Sequence, residues 1–146
     1  RQEIAQIQQS RVSTQFNKTS DTTLANVTGL TATVVAGKFY RFEVKLYTTS
    51  NVAGGVKVAI AGTATATAVV YEGLTTDAGL TTQSRATALA TAVGAVTAVT
   101  AAYILISGTI QVNAAGTLTV QFAQNASNGT ASSVLVGSTF LLTQML

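Results

Sequence analysis

Glu72 and Asp77 stand five residues apart in a chain with only five acidic side chains. A pair of carboxylates is the minimal equipment for hydrolytic acid–base work, provided the two approach each other. The residues around them, 74–80, read as a polar loop that the pair would flank, so the two could meet. Little else is on hand to help. There is no histidine, which removes the usual general base and the commonest metal ligand. There is no cysteine, which removes disulfides and thiolate metal sites. Serine and threonine abound, but a conventional triad is impossible without histidine, and no residue pair marks a Ser–Lys dyad. Calcium sites draw several carboxylates from one loop, and no loop has them. Gly54-Gly55 lacks a following lysine and helix, so it reads as a turn and not a phosphate cradle. The residues predict no catalytic, cofactor-binding or metal site.

What they do predict is architecture. In Lys38–Tyr47, KFYRFEVKLY, Tyr40, Phe42, Val44 and Leu46 alternate with Arg41, Glu43, Lys45 and Tyr47. Period two puts these sets on opposite faces of a half-buried strand, with Phe39 breaking the pattern at its start. Similar alternation marks Val12–Phe16, Val56–Ile60, Tyr103–Val112, Leu118–Phe122 and Val134–Leu142. Leu24–Val27 and Leu30–Val35 read as two strands around a Thr28-Gly29 turn, and Ala66–Tyr71 as another. Residues 82–100 read as one or two extended strands, since Thr, Val and Gly94 disfavour a helix. Eight to ten short strands with glycine-marked turns predict an all-β chain, a jelly-roll β-sandwich. Residues 1–18 read as an N-terminal arm or short helix, with Ile4 and Ile7 on one stripe, and residues 19–146 as the sandwich domain.

Length fits one domain, and 146 residues bury enough surface for a core without staples. The charged fraction is 9%, against about 25% in ordinary globular domains. The net charge of +3 forms no basic run with interleaved aromatics, so a nucleic-acid partner is not expected. No apolar run reaches the ~18 residues of a membrane span. The only methionine is Met145, so Arg1 is not an encoded start and the chain reads as processed or cut from a longer one. After Arg85 no residue carries a charge. Such a run suits either a solvated Thr/Ser/Gln/Asn face or burial between copies, where interface cores are depleted in charge. The second reading makes Val120, Gln121, Gln124, Val136 and Phe140 candidates for a contact between copies. The Gln-rich start, with Ile4, Ile7, Val12 and Phe16 as its large apolar anchors, reads as a partner-binding arm that orders on another protein.

The block Leu24-Ala-Asn-Val-Thr-Gly-Leu-Thr, followed by Val35-Ala-Gly-Lys-Phe-Tyr-Arg-Phe-Glu, resembles a pattern common in tailed-bacteriophage structural proteins. So do Ile106-Ser-Gly-Thr-Ile-Gln-Val-Asn, Gly116-Thr-Leu-Thr-Val-Gln-Phe-Ala-Gln-Asn and Val136-Gly-Ser-Thr-Phe-Leu. The resemblance implies a compact jelly roll of the tumour-necrosis-factor/C1q-like kind that forms homotrimers, with its last strands near the threefold axis. It implies a non-enzymatic virion protein. The expected role is capsid decoration, or cement, with the major capsid protein or another virion protein as partner. The alternative is the receptor-binding tip of a head or tail fibre recognising a host-surface glycan, for which Tyr47, Tyr71 and Asn51 are the candidate contacts.

Overall fold

The computed structural model describes residues 6–146. Among them run twelve strands and no helix. They are β1 Ile7–Arg11, β2 Phe16–Lys18, β3 Ala25–Val34, β4 Phe39–Thr49, β5 Val56–Ala61, β6 Thr65–Asp77, β7 Leu80–Ala86, β8 Val93–Val96, β9 Tyr103–Ala114, β10 Gly116–Ala123, β11 Ser132–Val134 and β12 Thr139–Met145. Two antiparallel sheets make a β-sandwich. The larger has the order β1-β12-β4-β9-β6-β7, with β11 beside the end of β4 and β2 beside β11; the smaller has the order β3-β10-β5-β8.

Alternation produces this arrangement. All eleven residues of β4 alternate exposed and buried, with Tyr40, Phe42, Val44 and Leu46 inside. They meet the inward residues of the small sheet, such as Leu30, Val58, Leu118, Val120 and Phe122, in one continuous core. Phe39 does not break the pattern: it occupies an outward position, 46% exposed. On the neighbouring β9, Gly108 stands between Phe42 of β4 and Tyr71 of β6. With no side chain there, the two rings meet across the strand at 6.4 Å. A Cβ at Gly108 would lie 2.3 Å from the Val70 carbonyl oxygen and 2.5 Å from Tyr71 Cβ.

Several local expectations change. The strand expected over Val134–Leu142 is two, β11 and β12, parted by a turn at 135–138. Residues 7–11 are a strand, not a helix, and pair with Thr139–Thr143 of β12. Ile7 is the one large apolar residue of this stretch, too little to hold a helix, whereas an open sheet edge satisfies the backbone directly. Val12 is fully buried, and Phe16 meets Phe122 edge-on, so both are built into the sandwich. Ile4 lies outside the described residues. The Thr28-Gly29 turn is a bulge within one strand: pairing with β10 shifts between Thr31↔Thr119 and Asn26↔Gln121. Gly29 has φ +96, and a Cβ there would sit 2.8 Å from the Arg11 carbonyl oxygen. The loop expected at 74–80 is the end of a long hairpin, turned by Ala78 and Gly79 at φ 45 and 90, the positive values that a tight I′ turn requires.

Phe42→Ala should cost about 3–5 kcal/mol in urea unfolding; a loss within ~0.5 kcal/mol would mean the ring does not fill the core. Gly108→Ala should cost about 1–3 kcal/mol, because an added methyl overpacks the β6 backbone.

Candidate interaction face

Glu72 and Asp77 do not meet. Both lie on β6, but at positions of opposite parity, so they project to opposite faces of the sheet. Glu72 is held by Arg85, at 2.9 and 3.2 Å, and by the Gln83 amide. These contacts, Arg85 first, lower its pKa from the ordinary carboxylate value. Asp77 accepts the backbone N–H groups of Thr100 and Ala101 at 2.7 and 3.2 Å, which lower its pKa. Asp21 is held down to about 2 by the Lys18 ammonium and the Thr23 main chain. Each carboxylate is thus committed as an anion to a structural contact. Among the described residues no cluster of three His, Cys, Asp or Glu gathers, and no helix is long and apolar enough to cross a membrane.

The residues expected at a contact between copies scatter. Val120 and Phe140 are buried in the chain's own core, so neither has surface left to offer. Gln124 is fully buried too. Its amide donates to the carbonyls of Asn128 and Thr130 and accepts from the N–H groups of Asp21 and Asn128, using all four hydrogen-bonding positions. A glutamate there would strand two carbonyls and damage the fold, so it cannot report on assembly. Gln121 lies on the outer face of the small sheet, donating to Asn26 at 3.0 Å. Val136, 55% exposed, sits in the turn between β11 and β12. Of the arm anchors among the described residues, Ile7 alone is exposed, at 62%. Tyr71 is buried, and Asn51 closes the turn at 51–55 by accepting from the N–H groups of Ala53, Gly54 and Gly55. Tyr71 therefore offers no surface to a glycan, whereas Asn51 is half-exposed.

A different surface gathers what the sequence reading missed. Ile7, Phe39, Tyr47, Val70 and Met145 are large, apolar and exposed. All five project from the outer face of the large sheet. Tyr47 stacks on Tyr103 there, centroids 5.6 Å apart. The same face carries Arg11, Arg41, Glu43, Lys45, Glu72 and Arg85. A groove of about 430 Å3 runs over the small floor residues Ser107, Gly108 and Thr109, with Arg41 and Glu43 on one bank and Glu72 on the other. The outer face of the small sheet carries no exposed large apolar residue and a single charge, Lys57. The signal in the sequence was parity: Phe39 and Tyr47 share the phase of Arg41, Glu43 and Lys45.

Comparison with protein-family models, with curated proteins and with solved structures gives no match.

The carboxylate contacts set a pH response. A carboxyl whose folded pKa is lowered adds stability above its unfolded value, near 3.9 for aspartate, and that stability is lost as pH falls through the folded value. Asp77→Asn should therefore unfold more easily than the parent protein at pH 5, and urea curves should converge as pH is lowered toward 2. A gap that does not narrow would show that the carboxylate charge is not what holds residues 100–101.

Proposed function

We propose that this chain is a non-enzymatic virion structural protein, a homotrimeric capsid decoration (cement) protein that stabilises an assembled phage head. The observation that carries the reading is the nested order of strand pairs. β1 pairs with β12, β3 with β10, β4 with β9 and β5 with β8, and successive pairs fall in alternate sheets. One long antiparallel ribbon rolled up on itself gives this order, which is the order of a jelly roll. The β6–β7 hairpin then extends the large sheet beyond that frame, and β2 and β11 flank it. The sequence blocks quoted above resemble trimeric phage jelly rolls, and they fall on β3, β4, β9, β10 and β12 of this frame. Fold alone does not fix a role, so the resemblance supplies the virion and the trimer. Every described acid whose pKa is shifted is tied to a structural contact, which supports a structural over a catalytic role. The fibre-tip alternative draws on one observation, the exposed Tyr47–Tyr103 stack, since flat aromatic surface suits a sugar ring.

Light scattering should give a mass of about 45 kDa for three chains of 14.9 kDa. The protein should co-sediment with undecorated capsids and raise their heat resistance. Adsorption to host cells without capsid binding would shift the reading to the fibre tip. The attachment arm is confined to the residues before β1. Deleting residues 1–6 should leave the fold and trimer intact and abolish capsid binding. Deleting residues 1–16 removes β1 and Val12 and should instead destabilise the body.

A further inference from the structure

We propose that Asn128-Gly129, in the loop between β10 and β11, is a self-modification site at which the folded protein converts Asn128 to isoaspartate. Of the six asparagines only Asn128 precedes a glycine, whose missing side chain leaves its nitrogen open to attack on the asparagine beside it. The site has room. Gly129 is exposed, and a Cβ there would meet nothing within 4 Å. Neither the Gly129 N–H nor the Asn128 side-chain Nδ2 makes a hydrogen bond among the described residues, so nucleophile and leaving group are both free. Asn128 Oδ1, by contrast, accepts from the Thr130 N–H at 2.9 Å. That donor draws electrons from Cγ and faces the oxygen on which negative charge develops, the task of an oxyanion hole.

The Gly129 nitrogen, on losing its proton to solvent base, attacks Cγ of Asn128. A C–N bond forms, the Cγ–Nδ2 bond breaks, and Nδ2 takes up a proton and leaves as ammonia. Water then opens the cyclic imide at one of its two carbonyls, so the net change consumes water and releases ammonia. The main-chain carbonyl of Asn128 accepts from the Ser20 N–H at 2.9 Å and from Gln124 Nε2 at 3.0 Å, which polarises that carbonyl for the water. Opening there gives isoaspartate. The chain now runs through Cβ and Cγ, and the freed α-carboxylate inherits both donors as charge-assisted hydrogen bonds. The bond from the Asn128 N–H to Gln124 Oε1, 3.1 Å, is untouched. The loop thus keeps its fastening while residues 86–146 gain their first charge, and the formal net charge of +3 falls by one. The site does not depend on the virion reading; in a coat that is not renewed, the change would accumulate with particle age.

The test holds the full chain in mildly alkaline heavy-oxygen water, folded and in urea, and maps its peptides by mass spectrometry over time. In the folded protein ammonia loss should be confined to Asn128, with one heavy oxygen taken up there. Labelling by an isoaspartyl methyltransferase should show isoaspartate outweighing aspartate. The more acidic species separated by ion exchange should keep strand circular dichroism and cooperative melting. Gly129→Ala has space for its methyl and no left-handed backbone to strain, so it should fold as the parent does and slow the reaction about tenfold or more. A folded chain that stays unchanged while the urea-unfolded chain converts would show that the loop shields Asn128, and would overturn the proposal. So would conversion of Gly129→Ala at the parent rate. Aspartate as the main product, or loss of the fold on conversion, would overturn the role given to the Ser20 and Gln124 donors.

Discussion

Phe42 and Tyr71 touch because Gly108 puts nothing between them, and much of the sandwich hangs on that contact. It locks three neighbouring strands of the large sheet, β4, β9 and β6, in one register, since a shift of one residue would turn every inward side chain outward. Tyr71 then carries the constraint across the molecule. Its hydroxyl accepts from the Thr91 N–H and donates its one proton to the Thr91 carbonyl, with the Ala88 carbonyl 3.3 Å away, in the segment that leaves β7 for β8. The adjacent Ala90 N–H donates to the Ile60 carbonyl on β5. One phenol thus ties the segment that crosses between the sheets to the centre of one sheet, and the main chain beside it reaches the other. Burial raises the Tyr71 pKa, so the hydroxyl keeps its proton and its role as donor.

The ends of the sandwich are held by a different device. With no proline and no cysteine, the loops cannot be stiffened by ring constraints or disulfides. Side chains bind main chain instead. Gln124 closes the loop that follows β10, Asp77 holds residues 100–101, and Ser50 and Thr48 donate to the carbonyls of Val99 and Ala102. Ser132 donates to the Gly55 carbonyl from a fully buried position. A buried polar group left unpaired costs more than its bond returns. The abundance of threonine, serine and glutamine is therefore a supply of loop fasteners as well as strand residues.

Alternation made the strands legible. The inward set of β4 could be read from ten residues, because period two needs no knowledge of the partner strands. The contact surface could not be read that way. The run without charges after Arg85 is continuous along the chain, but β9 and β12 enter the large sheet and β10 the small one. A charge-free stretch of sequence therefore became parts of two opposite faces and of the core between them, and Val120, Phe140 and Gln124 went inside. The Thr28-Gly29 bulge and the Ala78-Gly79 turn were equally hidden. Whether a glycine ends a strand or bends it depends on what the strand pairs with, and neighbouring residues do not carry that information.

The outer faces of the two sheets differ in a way that composition alone does not explain. Threonine, asparagine and glutamine cover the small sheet and bond one another, as Thr31 does with Thr119 and Gln121 with Asn26. Such a face is hydrated at little cost and needs no partner. The large sheet instead sets charges of both signs among exposed rings and aliphatic side chains. For solubility alone, charges would serve as well on either face, and the apolar groups would be better removed. Placing the two kinds together makes sense where the apolar groups supply contact area and the charges restrict which register that contact can adopt, since a slipped alignment sets like charges against each other.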